Sequence, residues 1–81
     1  MRLDKFLKVS RLIKRRTVAN EVSDTGRVLV NGNPAKPAKQ IKEGDEISIE
    51  YANRTVCAKV LKVPANNVSV QEALTLYEII E

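Results

Sequence analysis

The feature that most constrains this chain is where its charge lies. Residues 1–16, MRLDKFLKVSRLIKRR, hold seven basic side chains (Arg2, Lys5, Lys8, Arg11, Lys14, Arg15, Arg16) and one acid, Asp4, a local charge of +6. The other residues carry seven basic and nine acidic side chains, so they oppose the first stretch with −2. An asymmetry of this kind in a chain of 81 residues points to a patch for a polyanion rather than to a generally soluble surface.

The pattern within the stretch agrees. Leu3, Phe6, Leu7 and Ser10 fall at helical spacing and share one face, with Val9 and Ile13 at its edge. Lys5, Lys8 and Arg11 step along another face at intervals of three. A short helix would bury the first face and present the second, either as a solvated basic face or as a binding surface. Arg11, Lys14, Arg15 and Arg16 then crowd six residues around an expected turn at Ser10–Lys14. Their mutual repulsion favours a bound anion.

The rest of the composition sets limits. The chain is long enough for one domain and one small core, not for a deep substrate cavity. A single cysteine, Cys57, excludes an internal disulfide and is expected as a small buried hydrophobe. With no histidine and one cysteine there is no zinc site and no common general base, so no catalytic residue, metal or cofactor is expected. No stretch approaches the ~20 apolar residues of a membrane span. These features fit a cytoplasmic, monomeric basic module without a membrane partner.

Along the chain, a second helix is expected over Arg15–Thr25, with Val18, Ala19 and Val22 inward and Gly26 as a left-handed stop. Lys14, Arg15 and Arg16 crowd its start, where the helix dipole disfavours cations. Two accounts stay open: a phosphate sits there, or Thr17 caps the helix. From Arg27 the period changes to strand, running into the tight-turn pair Asn31-Gly32. Asn33–Lys42, with Pro34 and Pro37, is an edge strand or an ordered loop. Glu46–Tyr51 and Arg54–Val63 alternate as strands around a turn at Ala52-Asn53, the second with Val56, Ala58 and Val60 on one face. Asp45 and Glu46 are expected to keep a strand edge soluble. Pro64–Asn67 breaks the strand, and Val68–Glu81 is a short helix from Gln71 or a last strand at Tyr77–Ile80, with the helix favoured. The fold class is α+β: two short N-terminal helices on a small antiparallel sheet. Residues 1–64 form the domain and 65–81 a C-terminal appendage packed on it.

Three motifs in register now resemble a known family. Arg2-Leu3-Asp4-Lys5-Phe6-Leu7, Gly26-Arg27-Val28-Leu29-Val30-Asn31-Gly32 and Lys42-Glu43-Gly44-Asp45-Glu46-Ile47 are similar to the RNA-binding domain of ribosomal small-subunit protein four. The run Lys8–Thr17 and the short length resemble its free-standing, ribosome-associated quality-control members. The heat-shock members of the family carry a longer basic tail. The resemblance implies large-subunit rRNA, peptidyl-tRNA, the stalled large subunit and its tailing factor as partners. The implied role is to assist alanine tailing of the stalled chain. The family's binding surface, two helices and the Asn-Gly loop, falls on Arg2, Lys5, Arg11, Lys14, Arg15 and Arg16, with Lys8, Asn31, Lys36 and Lys39 as additions. Asp4 would orient a neighbouring arginine.

Chemically, such a surface would read RNA by shape, phosphates and 2′-hydroxyls, with arginine favoured over lysine for its bidentate fork. About five phosphate contacts would give a salt slope near −4, at ~0.7–0.9 per contact. Stacking is expected to be minor, because Phe6 and Tyr51 are assigned to the core. Competing expectations are a recycling or assembly factor of the heat-shock type, a DNA-binding module, and the appended domain of a larger RNA-modifying enzyme or tRNA synthetase. The last finds no room for a catalytic domain in a chain of this length.

Overall fold

The structure is a computed structural model describing residues 1–65 and 68–80. The expected break at Pro64–Asn67 lies partly outside those residues, as does Glu81 at the end of the expected appendage. Two helices open the chain, α1 (Leu3–Val9) and α2 (Arg16–Asp24). Strands β1 (Val28–Val30), β2 (Asn33–Pro34), β3 (Glu46–Glu50) and β4 (Thr55–Val60) follow, then a one-turn α3 (Val70–Ala73) and β5 (Tyr77–Ile80). The strands form one antiparallel sheet in the order β2-β1-β3-β4-β5. This is the expected α+β class, with the two N-terminal helices on one face of the sheet.

The core explains why the helical stretch folds at all. Leu3, Phe6, Leu7, Val9 and Ile13 pack with Ala19 of α2 and with Val28, Val30, Ile47, Ile49 and Val60 of the sheet. Each fully buried large side chain contributes roughly 1.5–3 kcal/mol, enough to hold a seven-residue helix that would not form alone. The apolar face of α1 is therefore as its spacing predicts. In α2 the inward set shifts: Ala19 and Ser23 are buried and Val22 half-buried, whereas Val18, expected inward, is 40% exposed. Ser23 takes the place because its hydroxyl donates to the Ala19 carbonyl, at 2.8 Å, and so needs no water.

Turn chemistry fixes the rest. α2 ends as expected on Gly26 at φ 81°, with its amide on the Ser23 carbonyl and the Arg27 amide on that of Val22. α1 ends the same way on Arg11, at φ 64°, a conformation that no sequence signal announced. Asn31 (φ 53°) and Gly32 (φ 84°) make the tight turn between β1 and β2, with Val30 opposite Asn33. β2 is a two-residue edge strand, after which residues 35–41 form an ordered loop stitched to α1.

Several expectations are corrected. Tyr51, assigned to the core, lies beyond β3, is 40% exposed, and has the Arg54 guanidinium 5.5 Å from its ring centre. Cys57 is half-buried on the outer face of the sheet, with its sulfur 3.5 Å from the Ser48 hydroxyl. Asp45 does not solubilise an edge. It is buried, and its carboxylate accepts from Asn31 Nδ2 (3.1 Å) and the Lys42 amide (3.0 Å). At the C-terminus both alternatives occur in succession: α3, capped by the Ser69 hydroxyl accepting the Glu72 amide, then β5 paired with β4. Leu76 between them is buried in the common core.

Candidate RNA-binding surface

The N-terminus of α1 is where the charge is organised. Its first amides are already taken: Leu3 donates to the Lys39 carbonyl (2.7 Å) and Asp4 to that of Pro37 (3.2 Å). This end is therefore closed to an anion, and the loop of residues 35–41 is held against it. Asp4 is buried at 2% exposure, yet its carboxylate meets five donor atoms. Arg2 forks onto it, Nε at 3.3 Å and Nη2 at 3.4 Å. Arg16 Nε lies at 3.6 Å, Asn20 Nδ2 at 3.3 Å, and the Lys5 amide at 2.8 Å.

One buried acid thus ties Arg2, before α1, to Arg16 and Asn20 on α2. The two arginine side chains are about half exposed, at 46% and 49%, so neither is sealed off by its pairing with Asp4. A guanidinium has five N–H donors, and these contacts use few of them. The remaining donors are pre-aimed, which lowers the entropy cost of meeting an anion. Arg2, Asp4, Arg16, Thr17, Asn20 and Glu21 line an open depression between the helices. Thr17 and Asn20 are site residues that the charge pattern alone did not reveal. Their helical spacing of three along α2 was the available signal.

The other expected residues fall into two further places. Lys8, Arg11 and Lys14 line a small depression beside the α1–α2 bend, with Val9 and Val68. Arg11 reaches it from a left-handed backbone, secured by its amide on the Lys8 carbonyl and by Ile13 on that of Leu7. Ser10 completes the bend: its hydroxyl donates to the Leu7 carbonyl and accepts from the Leu12 amide. Arg15 is exposed at the cap position of α2, and no side chain caps that helix. Thr17 lies in the first turn instead, so the account in which it caps α2 is set aside. Lys5 and Lys8, both half-buried on α1, are less available than the exposed arginines.

Asn31, Lys36 and Lys39 line a third depression behind the Asn-Gly turn. Asn31's side chain is committed to the fold, since it donates to Asp45 and its Oδ1 accepts from the Glu46 amide at 3.0 Å. Lys36 lies 3.9 Å from Asp24, an exposed pair of small weight. Among the described residues, no group of side chains is arranged to hold a metal ion, and no helix is long and apolar enough to cross a membrane.

Two helices on an antiparallel sheet, with a basic helical surface organised by a buried acid, define a class that comparison identifies. Residues 1–47 match the S4 domain family model, and the chain belongs to that family. Along nearly its whole length it is similar to proteins named RQC P-site tRNA stabilizing factor. That of Halalkalibacterium halodurans is 54% identical over 79 residues, 98% of this chain and 89% of the relative. That of Bacillus subtilis is 47% identical over 81 residues, 100% of this chain and 93% of the relative. Among solved structures, trimeric Vibrio cholerae Heat Shock Protein 15 superposes with a TM-score of 0.88 at 30% identity, covering 99% of this chain and 81% of that one.

Proposed function

We propose that this protein is a non-catalytic, cytoplasmic RNA-binding factor of ribosome-associated quality control. It binds rRNA and tRNA on large ribosomal subunits obstructed by peptidyl-tRNA, and it supports alanine tailing of the stalled chain by a tailing factor. One observation carries the reading: the arginine pair Arg2 and Arg16, held on a single buried carboxylate, in a chain similar end to end to factors named for stabilising a P-site tRNA. Arg11, Lys14 and Arg15 add phosphate contacts, with Lys5, Lys8, Lys36 and Lys39 at the margin. Asn31 acts by fixing the turn.

The physical logic is simple. A large subunit whose tRNA is still joined to a nascent chain has lost the small subunit that would otherwise steady the tRNA. A small rigid basic body can bridge RNA to RNA there, because each phosphate it neutralises releases counterions. No bond needs to be made or broken. The test is sucrose-gradient co-sedimentation of tagged wild type and a combined Arg2→Ala, Arg16→Ala variant at moderate salt. Wild type is expected with large subunits carrying peptidyl-tRNA, and the folded variant at the top of the gradient. If wild type also stays at the top, the ribosomal partner is wrong. If duplex DNA displaces the protein as well as structured RNA does, the RNA assignment is wrong.

A further inference from the structure

The cations of the helical surface divide between two depressions of unlike charge. Beside the bend, Lys8, Arg11 and Lys14 meet no acid in their lining. Between the helices, Arg2 and Arg16 are matched by Asp4 and Glu21, so the lining has no net charge. The first is suited to phosphates. The second is poorly suited to a bare phosphate, but it is rich in both donors and acceptors, which fits a neutral polar group attached to one.

The details of the second depression narrow that group. Asn20 turns its Nδ2 to the Asp4 carboxylate, at 3.3 Å; a carboxylate only accepts, so the amide oxygen must face away from it. Thr17, three residues earlier on the same helix, lines the depression and carries a hydroxyl, a group that is both donor and acceptor. An amide oxygen and a hydroxyl beside two oriented guanidiniums complement a sugar hydroxyl next to a backbone phosphate. The group in a nucleic acid that both donates and accepts there is the ribose 2′-hydroxyl.

We propose that Thr17 and Asn20 form the site at which this protein reads the ribose 2′-hydroxyl of its RNA. Arg2 and Arg16 hold the adjoining phosphate, and Lys8, Arg11 and Lys14 grip phosphates without regard to the sugar. This rests on the RNA-binding reading above and deepens it, because it assigns the choice of RNA over DNA to two uncharged residues.

The experiment is fluorescence anisotropy at several salt concentrations with two probes. One is an RNA hairpin; the other is the same hairpin with 2′-fluoro in place of every 2′-hydroxyl, which keeps the A-form but removes the donor. Wild type is expected to bind the hydroxyl probe about tenfold more tightly, with equal salt slopes, as two ordinary hydrogen bonds would give. A Thr17→Val, Asn20→Ala variant should bind both probes at the 2′-fluoro level. A Lys8→Ala, Arg11→Ala, Lys14→Ala variant should keep the discrimination while its salt slope shrinks by about 2 to 3. Equal wild-type affinity for the two probes overturns the proposal, as does a Thr17, Asn20 variant weakened equally on both. Thermal melts report whether each variant folds; if the double variant does not, the exposed single change Thr17→Val should still reduce the discrimination about threefold, and unchanged discrimination overturns the proposal. If wild type binds neither probe, the RNA-binding reading itself falls and takes this inference with it.

Discussion

Asp4 and Asp45 are both buried carboxylates, at 2% and 4% exposure, and they do opposite jobs. Asp45 accepts from a side-chain amide and a main-chain amide, Asn31 and Lys42, and those donors end there. Its effect stays inside the fold: it pins the Asn31-Gly32 turn to the start of β3. Asp4 accepts from Arg2 and pairs with Arg16, two arginines whose side chains are half exposed and keep donors to spare. Its effect is transmitted outward. What separates a structural acid from an organising one is not burial but whether its partners retain free bonding capacity at the surface.

The largest effect should come from Asp45→Ala. It strands the Lys42 amide and frees the turn, costing about 3 kcal/mol at typical values for bonds to a charged acceptor, or roughly 12–24 °C of melting temperature in a domain this small. RNA affinity per folded molecule should be unchanged at low temperature, as anisotropy would show. An Asp45→Ala protein that stays folded but loses RNA would break the comparison.

Asp4→Ala comes next, and its sign is instructive. Removing an acid makes the surface more positive, so a loss of RNA affinity cannot be a loss of net charge. Weaker binding would mean that arginine orientation matters more than one unit of charge. The expected result is about tenfold weaker binding to structured RNA, equal or stronger binding to a generic polyanion such as heparin, and a melting temperature lowered by less than in Asp45→Ala. Uniformly tighter binding to everything would show that Asp4 is no organiser.

These two residues also mark how far the sequence could be read. The helical faces, the Asn31-Gly32 turn, the Gly26 stop and the alternation of β3 and β4 were legible because each is a local pattern. So was the arginine-rich stretch, and the resemblance of its motifs supplied a role for Asp4. The Asn31–Asp45 bond, fourteen residues apart, was not, since nothing local distinguishes a buried aspartate in a Gly-Asp turn from an exposed one. Thr17 and Asn20 were missed because uncharged residues leave no mark in a charge pattern. Tyr51 kept the alternation, but β3 ends one residue before it. β5 was underrated because its pairing with β4 is decided by tertiary packing through Leu76.

Arg11 offers a smaller test, set against Gly26. The two end α1 and α2 in the same left-handed conformation, but only glycine takes it without cost. Arg11→Gly should raise stability by roughly 0.5–1 kcal/mol, partly offset by the looser unfolded chain, while the salt slope of RNA binding falls by about 0.7–0.9. Stability gained and affinity lost together would mean that the side chain is kept for contact at the expense of the turn. A gain in stability with no change in binding would make Arg11 a bystander.

The smallest expected effect concerns a third aspartate, Asp24, which is paired with Lys36 across 3.9 Å in the open. Here both partners are well exposed, so water and salt screen the pair and the two long side chains lose entropy in meeting. Lys36→Ala should therefore move stability by no more than about 0.5 kcal/mol, within the scatter of a thermal melt. Its RNA effect is the more useful readout. If Asp24 neutralises Lys36 in the complex as it does in the free protein, the salt slope should hardly change. If the slope falls by about 0.9, the lysine has left Asp24 for a phosphate, and the loop stitched to α1 is part of the binding surface. An exposed acid organises nothing on its own, so its partner is free to change allegiance. The buried Asp4, by contrast, keeps both of its arginines in place.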